Sequence, residues 1–257
     1  GNPRDLYFDT DCLGLLEQKW FLSKKQIDVS AINIYFADEK NRTLTPLHKA
    51  HKRGDSSSKW QRAYQALKHD RKKSIKKATI ENLLHALGSL YILNLYYMDE
   101  RIDIGRVYLG DHSFDNRVGS ELFSAHYCRA TGLSMQLHMN DSCISPPLGE
   151  EMNKAIFVIK YDDKSFAEMH KNFCLDHRIT VDRFANSPEI KKYIADHPEC
   201  KDKSINEICI AAGGTNLLAR IICMQNTMRE VNSRMEAVLN KHTEIYPELL
   251  PLEDESK

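Results

Sequence analysis

The sequence predicts a mostly helical protein of the α+β class, in which short strands flank a bundle of helices. Apolar residues recur at spacings of three and four over residues 57–97 and again over residues 215–243, as they do in amphipathic helices. The strand signals are shorter: an uninterrupted apolar run, Ala155–Ile159, and an alternating segment, Ala31–Phe36. Helices therefore account for more of the expected structure than strands do.

The overall composition is that of an ordinary soluble globular chain, but its charge is unevenly distributed. The 257 residues have a formal net charge of zero, with 42% apolar and 28% charged residues. Between His48 and Lys77, however, there are eleven Lys/Arg residues and two Asp residues, which gives a local net charge of +9 (11 − 2). Such a block is either a solvated face or a surface for a polyanion.

Cysteine usage and hydropathy indicate the compartment. The seven cysteines are scattered and never form a CxxC pair, which is typical of a reducing environment rather than of a disulfide framework. No apolar run approaches the roughly 20 residues of a membrane-spanning helix. We therefore expect a cytoplasmic protein with no membrane partner.

Two helices are predicted between residue 57 and residue 97, and the candidate functional residues lie on and between them. Residues 57–70 form a helix whose apolar stripe is Trp60, Ala63, Tyr64 and Leu67. Thr79 is placed to cap a second helix, over residues 79–97. The predicted core face of that second helix is apolar throughout and consists of Ile80, Leu83, Leu84, Leu87, Tyr91 and Leu95.

Arg62 and His69 are the candidate catalytic pair. They are two helical turns apart, so they point the same way, roughly opposite the apolar stripe. Histidine can move a proton near neutral pH and arginine can stabilise a pentavalent phosphate, so the pair suits cleavage of RNA by its own 2′-hydroxyl. The alternative is an ordinary polar helix surface. The cations predicted to hold flanking phosphates are Lys68, Arg71, Lys72, Lys73 and Lys76.

The same stretch resembles the HEPN superfamily. The resemblance rests on Trp60-x3-Tyr64-x2-Leu67-Lys68-His69-Asp70-Arg71 followed by an Ala/Leu-rich helix, about forty residues in all, as in uncharacterised bacterial HEPN-like proteins. It implies a helical bundle that dimerises. Many members are metal-independent endoribonucleases of toxin–antitoxin and defence systems with an Arg-x4–6-His motif, and others only bind RNA or a partner.

Two departures from the HEPN pattern favour binding over catalysis. Active members carry a polar residue after the motif arginine, where this chain has Ala63, and Gln65 stands where Asn is expected. We therefore predict an RNA- or partner-binding protein of a toxin–antitoxin or defence-type system, a homodimer with an antitoxin-type partner. The alternative is a metal-independent endoribonuclease that uses Arg62 and His69. No cofactor is expected.

A metal site has weaker support. Cys174-x2-His177 and His197-x2-Cys200 form two mirrored ligand pairs with nineteen residues between them, and thiolate with imidazole suits a structural zinc ion. With seven cysteines and eleven histidines, such pairs also arise by chance. We predict no metal and retain these four residues as the candidate ligands.

The last prediction concerns the C-terminal half. Gly- and Pro-containing residues 131–150 indicate a joint, so we divide the chain into a HEPN-like core with N-terminal strands (1–148) and a second segment (149–257). A helix is expected over Ser120–Arg129. A long C-terminal helix, capped by Thr215, should pack against an internal partner or a second subunit through one seam: Leu217, Ile221, Met224, Met228, Val231, Met235 and Val238.

Overall fold

The computed structural model describes residues 5–106, 113–130, 136–138, 141–143, 149–226 and 233–242. Over these ranges helices predominate and three small sheets accompany them. The predicted α+β class with an excess of helix is confirmed.

The helices of the described ranges vary from one turn to nearly seven turns. They are α1 (Gly14–Trp20), α2 (Lys59–His69), α3 (Arg71–Ser74), α4 (Ile80–Met98), α5 (Glu150–Lys154), α6 (Asp163–Asn186), α7 (Pro188–Asp196) and α8 (Ile205–Ile221). Shorter helical turns lie at Phe8–Leu13, Leu22–Lys24, Glu39–Arg42, Gly54–Ser56, Ile75–Lys77 and Pro198–Asp202.

The strands form a three-stranded sheet, a four-stranded sheet and a two-stranded hairpin, which is the third sheet. They are β1 (Ile27–Val29), β2 (Thr43–Leu44), β3 (Ile102–Arg106), β4 (Phe123–Ala125), β5 (Tyr127–Arg129), β6 (Gln136–His138), β7 (Asp141–Cys143), β8 (Phe157–Tyr161) and β9 (Arg234–Leu239). The first sheet is antiparallel, in the order β2-β1-β4. The second has the order β3-β9-β8-β5, with β5 parallel to β8 and the other pairs antiparallel. Strands β6 and β7 pair only with each other among the described residues.

The four-stranded sheet joins both halves of the chain. Its central strand β8 is the predicted apolar run, and Phe157, Val158 and Ile159 are all buried, as expected for a strand covered on both faces. The main hydrophobic cluster contains residues from α4, β1, β3, β4, β8 and β9. The predicted boundary at residue 148 therefore does not separate the two hydrophobic clusters, because strands from either side of it share one sheet.

A second, smaller cluster is built by α6, α7 and α8. Phe184, Ile190 and Ile205 are at its centre. The segment that follows α8 is fastened to α6 by a buried carboxylate: Asp176 accepts hydrogen bonds from the backbone and side-chain amides of Asn226, at 3.0 Å each. This helical unit contains the proposed zinc ligands.

Side-chain hydrogen bonds cap the start of helix α2 and fix its orientation. The Ser58 hydroxyl accepts a bond from the Gln61 backbone N–H, and the Gln61 side chain accepts one from the Ser58 N–H, which makes a capping box. Ala63 is buried and the Trp60 indole N–H donates to the Pro46 carbonyl at 2.9 Å. The prediction that Tyr64 is buried is wrong, because its side chain is 58% exposed.

Helix α4 packs on the sheets through a face that contains small residues. Thr79 caps it as predicted, by accepting a hydrogen bond from the Asn82 N–H. Gly88 lies so close to Ile27 and Pro46 that a Cβ atom there would be 2.6 Å from the former and 2.9 Å from the latter. The absence of a side chain at Gly88 lets the helix backbone approach β1.

The predicted core face of α4 is partly wrong. Leu84 and Leu95 are buried as expected, but Ile80, Leu83 and Leu87 are exposed. The remaining buried positions include Gly88, Ser89, Ile92 and Tyr96. The helix is apolar almost all round, so spacing alone did not identify the inner face, which the close approach at Gly88 determines.

The long C-terminal helix is not formed. Helix α8 ends at Ile221 and is interrupted at Gly213 and Gly214, whose backbone angles are not helical. Met235 and Val238, placed in the helical seam, lie instead in β9, where pairing with β3 and β8 buries Met235. Backbone hydrogen bonds to two partner strands thus make this segment a strand, although its apolar residues have helical spacing. The other seam positions Met228 and Val231 lie outside the described residues.

Two shorter predictions are also wrong. Residues 120–129 form β4 and β5 rather than a helix, and the alternating segment Ala31–Phe36 is irregular, with the strand lying earlier, at Ile27–Val29. Strand β4 pairs with β1, β5 pairs with β8, and β1 itself lies between β2 and β4, and local sequence patterns do not report such long-range pairings.

Lys25 is a buried lysine that connects the segment before β1 with the backbone just before β8. Its side chain has no exposed surface, and its ammonium group donates to the Ala155 carbonyl at 2.9 Å and lies 3.2 Å from the His242 ring. Burial lowers the pKa of Lys25 to about 7, against the attraction of Cys128 and Glu17. The Lys25 amine therefore loses its proton near neutral pH in the folded protein.

Replacing Gly88 by Ala should destabilise the protein by about 1–3 kcal/mol, because the new methyl group would overlap Ile27 and Pro46. Gly14→Ala is the matched control, since nothing lies within 4 Å of a Cβ there, and it should be neutral or stabilising by up to about 1 kcal/mol. Urea unfolding measures both. A Gly88→Ala protein as stable as the parent would show that α4 does not approach β1 as closely as described.

Lys25 should make the free energy of unfolding rise with pH. Its folded-state pKa of about 7 lies below its ordinary value, so above pH 7 the unfolded chain binds more protons than the folded one. The slope is at most about 1.4 kcal/mol per pH unit. We expect Lys25→Met to remove that slope between about pH 7 and 8.5, below the ordinary titration of thiols, and the exposed neighbour Lys24→Met to retain it. Parallel profiles for the two variants would contradict the assignment.

Candidate functional site

A groove of about 1110 Å³ runs along the N-terminal half of α2. We call it the basic groove. Its walls come from the N-terminal segment Tyr7–Asp9, from residues 52–65 and from residues 76–93. It is large enough for a nucleotide-sized ligand, since small-molecule sites typically measure about 300–1,000 Å³.

Aromatic rings line the basic groove. Tyr7, Phe8 and Tyr64 are 43%, 63% and 58% exposed, and Trp60 forms a further, partly buried wall. The guanidinium group of Arg53 lies 3.7 Å from the centre of the Tyr7 ring, a cation–π contact that fixes one side of the groove. Of these rings, those of Phe8 and Tyr64 offer exposed faces for stacking.

Positive charge exceeds negative charge along the same walls. Two acidic residues, Asp9 and Asp55, line the groove. The six lining cations give it a formal net charge of +4 (6 − 2); they are Lys52, Arg53, Lys59, Arg62, Lys76 and Lys77. Arg53 pairs with Asp9 and Lys59 pairs with Glu81. In the described part of the chain Lys52, Lys76 and Lys77 have no acidic partner, so their charge is available to an anion.

Arg62 lies in the basic groove, and His69 does not. Arg62 is exposed, and its guanidinium group donates to the Asp55 carbonyl at 2.9 Å, which draws it toward the N-terminal end of α2. His69 is exposed at the C-terminal end of the same helix and is not among the groove's lining residues. Seven residues of helix separate them by about 10.5 Å along the axis. Within one subunit, only Arg62 of this pair lines the groove.

The cations predicted to bind RNA are all exposed, but most lie beyond the groove. Lys68 lies in the last turn of α2, and Arg71, Lys72 and Lys73 lie in the short helix α3. Of the five predicted residues, Lys76 lines the groove as described. The sequence located the basic segment correctly, but it did not distinguish the cations that face the groove from those that do not.

A second, smaller pocket of about 320 Å³ adjoins the basic groove. We call it the side pocket. It shares Lys52, Asp55, Lys59, Trp60 and Arg62 with the groove, and it adds residues that the groove lacks: Thr45, Pro46, His48, Lys49, Ser58 and His85 among them. Two imidazoles and an arginine therefore line one small cavity.

His85 was missed by the sequence analysis. It lies on α4, half-buried, and desolvation by burial lowers its pKa, with Lys59 acting in the same direction and Glu81 against it. The folded protein thus holds this imidazole neutral at pH 7. Its immediate neighbours in the chain, Leu84 and Ala86, are apolar, so no sequence signal distinguishes it from a structural histidine.

The candidate metal ligands do not form a cluster. Cys174 contacts the ring of His170, one turn earlier on α6, and Cys200 is buried in the second hydrophobic cluster. The Nδ1 atom of His197 lies 3.0 Å from a glutamate carboxylate, and Nε2 of His177 is buried without a hydrogen-bond partner among described atoms. Within the described ranges, no group of three or more His, Cys, Asp or Glu side chains could hold a metal ion.

No helix in the described part of the chain is long and apolar enough to cross a membrane. A scan against protein-family models finds no family that matches, and searches of the curated proteins and of the solved structures find no significant match. The resemblance to the HEPN superfamily therefore rests on the sequence motif around Trp60 and Arg71 alone.

Proposed function

We propose that the basic groove binds single-stranded RNA. The observation that carries this proposal is the combination of exposed aromatic rings with an excess of cations along one groove. Single-stranded nucleic acid is bound in this way: bases stack on aromatic side chains, and lysine and arginine neutralise the phosphates. Stacking contributes about 1–3 kcal/mol per base and tolerates any sequence.

The HEPN-like motif favours RNA over DNA, since the groove's chemistry suits a single strand of either kind. The same motif is the source of our prediction of a toxin–antitoxin or defence-type role with an antitoxin-type partner. Cleavage by Arg62 and His69 remains an alternative. In that alternative, the dimer that the motif implies would bring the Arg62 and His69 side chains of two subunits into one cleft.

The homodimer that the motif implies has a candidate surface on α4. Its outer face carries residues at steps of three and four, and the apolar ones are 39–89% exposed. The positions are Ile80, Leu83, Leu87, Leu90, Asn94 and Tyr97. This is the spacing of a helix–helix seam, and one asparagine within such a seam is typical of pairings whose register is fixed.

The extent of this face matches that of a dimer interface. With the neighbouring Met98, the exposed apolar side chains present on the order of 800 Å². A stable interface buries about 800 Å² per partner. A second copy of the chain supplies an identical stripe, and two such stripes can pair about a two-fold axis. We therefore propose a second copy as the occupant of this face.

RNA binding should depend on the lysines that line the groove. We expect Lys76→Gln with Lys77→Gln to weaken binding of a short single-stranded RNA and to reduce the slope of log K against log salt by about 0.7 per lost phosphate contact. The control changes another adjacent, exposed pair, Lys191 and Lys192 on α7, to Gln. Fluorescence anisotropy over a salt series measures both, with single-stranded DNA as a comparison. Equal losses in the two double variants would show that the groove is not the site.

The aromatic contribution is tested separately. Tyr64→Ala should lower the affinity by about 5- to 150-fold, which corresponds to about 1–3 kcal/mol of stacking. Tyr35 is 88% exposed and lies outside the groove, so Tyr35→Ala should bind RNA as the parent does. An unchanged affinity for Tyr64→Ala would remove stacking from the proposal.

The mass in solution tests the α4 face. We expect light scattering to give twice the chain mass for the parent and a single chain mass for Leu83→Gln with Leu90→Gln. Leu15→Gln with Ile32→Gln removes two other exposed apolar side chains and should leave the dimer intact. A parent protein of single-chain mass at the same concentration would rule out this dimer.

A further inference from the structure

The side pocket contains the residue types that RNA cleavage requires. We propose that it holds one phosphodiester of the RNA bound in the basic groove and cleaves it, with His85 and His48 transferring the protons and Arg62 stabilising the phosphate. The proposal rests on the proposed function, since the groove must first deliver the strand. It assigns the chemistry to histidines other than His69.

The segment before α2 explains how the pocket is built. Leu47 and Ala50 are buried in the main cluster, and successive turns close around them: the His48 N–H donates to the Thr45 carbonyl and the Lys52 N–H to the Lys49 carbonyl, both at 3.1 Å. The residues between the buried anchors are therefore held at the surface. His48 and Lys49 are exposed and both line the pocket.

The imidazoles of the side pocket are available for proton transfer. In the described part of the chain, neither His48 nor His85 makes a side-chain hydrogen bond. His85 approaches from α4 and His48 from the loop before α2, so they belong to different walls. Burial keeps His85 neutral at pH 7, as a proton acceptor must be.

Arg62 connects the side pocket to the groove. It lines both cavities, and among described residues its guanidinium group bonds only to the neutral Asp55 carbonyl. Its other N–H groups remain available to a phosphate. Lys49 and Lys52 have no acidic partner in the described ranges. One carboxylate, that of Asp55, lines the pocket against four cations (Lys49, Lys52, Lys59 and Arg62), a formal net charge of +3 (4 − 1).

Trp60 is shared by the two cavities and is placed to orient the strand. Because the two cavities adjoin at this ring, the backbone of a strand in the groove would pass the side pocket, whose 320 Å³ suits a ribose and its phosphate. Positioning of this kind is a large part of the catalysis of phosphoryl transfer.

The step balances without a further reactant. His85 accepts the proton of the ribose 2′-hydroxyl, the O2′–P bond forms and the P–O5′ bond breaks. His48 donates a proton to the departing O5′, and Arg62 neutralises charge on the phosphoryl oxygens. The products are a 2′,3′-cyclic phosphate and a 5′-hydroxyl. A strand with 2′-deoxyribose lacks the nucleophile and should bind without being cut.

The experiment follows cleavage of a short, labelled single-stranded RNA by the full chain in EDTA. We expect 2′,3′-cyclic phosphate ends from the parent protein, and no cleavage of the same strand with 2′-deoxyribose throughout. His85→Gln and His48→Ala should each reduce the rate by about 100-fold or more, with RNA affinity retained. His197→Ala is the matched control, an exposed histidine that lines neither the pocket nor the groove, and should cleave at the parental rate.

Three results would overturn the inference. If the parent binds RNA but does not cut it, the side pocket is not catalytic and the proposed function stands. If it neither binds nor cuts RNA, both fail. If His69→Ala abolishes cleavage while His48→Ala does not, the chemistry belongs to the α2 pair. His48 is exposed, so His48→Ala tests the pocket even if His85→Gln fails to fold, which thermal unfolding of each variant would show.

Discussion

The carbonyl oxygen of Pro46 is the contact on which the candidate site depends. It accepts a hydrogen bond from the Trp60 indole at 2.9 Å and lies 3.2 Å from the Ser89 hydroxyl, whose single proton it shares with the His85 carbonyl at 2.9 Å. One buried acceptor thereby joins the loop before α2, α2 itself and α4, which are the three elements that enclose the side pocket. Gly88 completes the junction, because a side chain there would displace the Pro46 ring. Since an unpaired buried carbonyl costs about 1–3 kcal/mol, the bond from the Trp60 indole contributes strongly to holding α2 against this loop.

The sequence predicted local structure well and long-range pairing poorly. Helices α2 and α4 lie within a residue or two of the predicted spans, and Thr79 is the cap it was expected to be, because caps and helical spacing are local properties. Met235 and Val238 obey a helical period and yet lie in β9, between two partner strands far away in sequence. The inner face of α4 is determined by the close approach at Gly88, which is visible only when β1 is in place.

The residues of the candidate site likewise fall into those that local sequence patterns predicted and those that only long-range packing brings in. The basic segment and Arg62 could be located from charge and helical phase, since both follow from residues near one another in the chain. His85 enters the site only because α4 packs beside α2, and Tyr7 only because the N-terminal turn folds over residue 53. The predicted partner of Arg62, His69, satisfies the spacing on the helix, but the hydrogen bond from Arg62 to the Asp55 carbonyl directs the two side chains to different ends of α2. Helical phase gives the direction in which each side chain leaves the axis, whereas the contacts that a long side chain makes decide where its end group lies.

The central claim is that RNA lies along the basic groove in contact with its aromatic rings. Photo-crosslinking tests it most directly: a single-stranded RNA containing 4-thiouridine is irradiated with the full chain, and the crosslinked peptides are identified by mass spectrometry. The account predicts crosslinks in the segments that supply the rings, around Tyr7 and Phe8 and between Trp60 and Tyr64. Crosslinks confined to the helices of residues 163–221, or an RNA that binds without crosslinking to either aromatic segment, would contradict it.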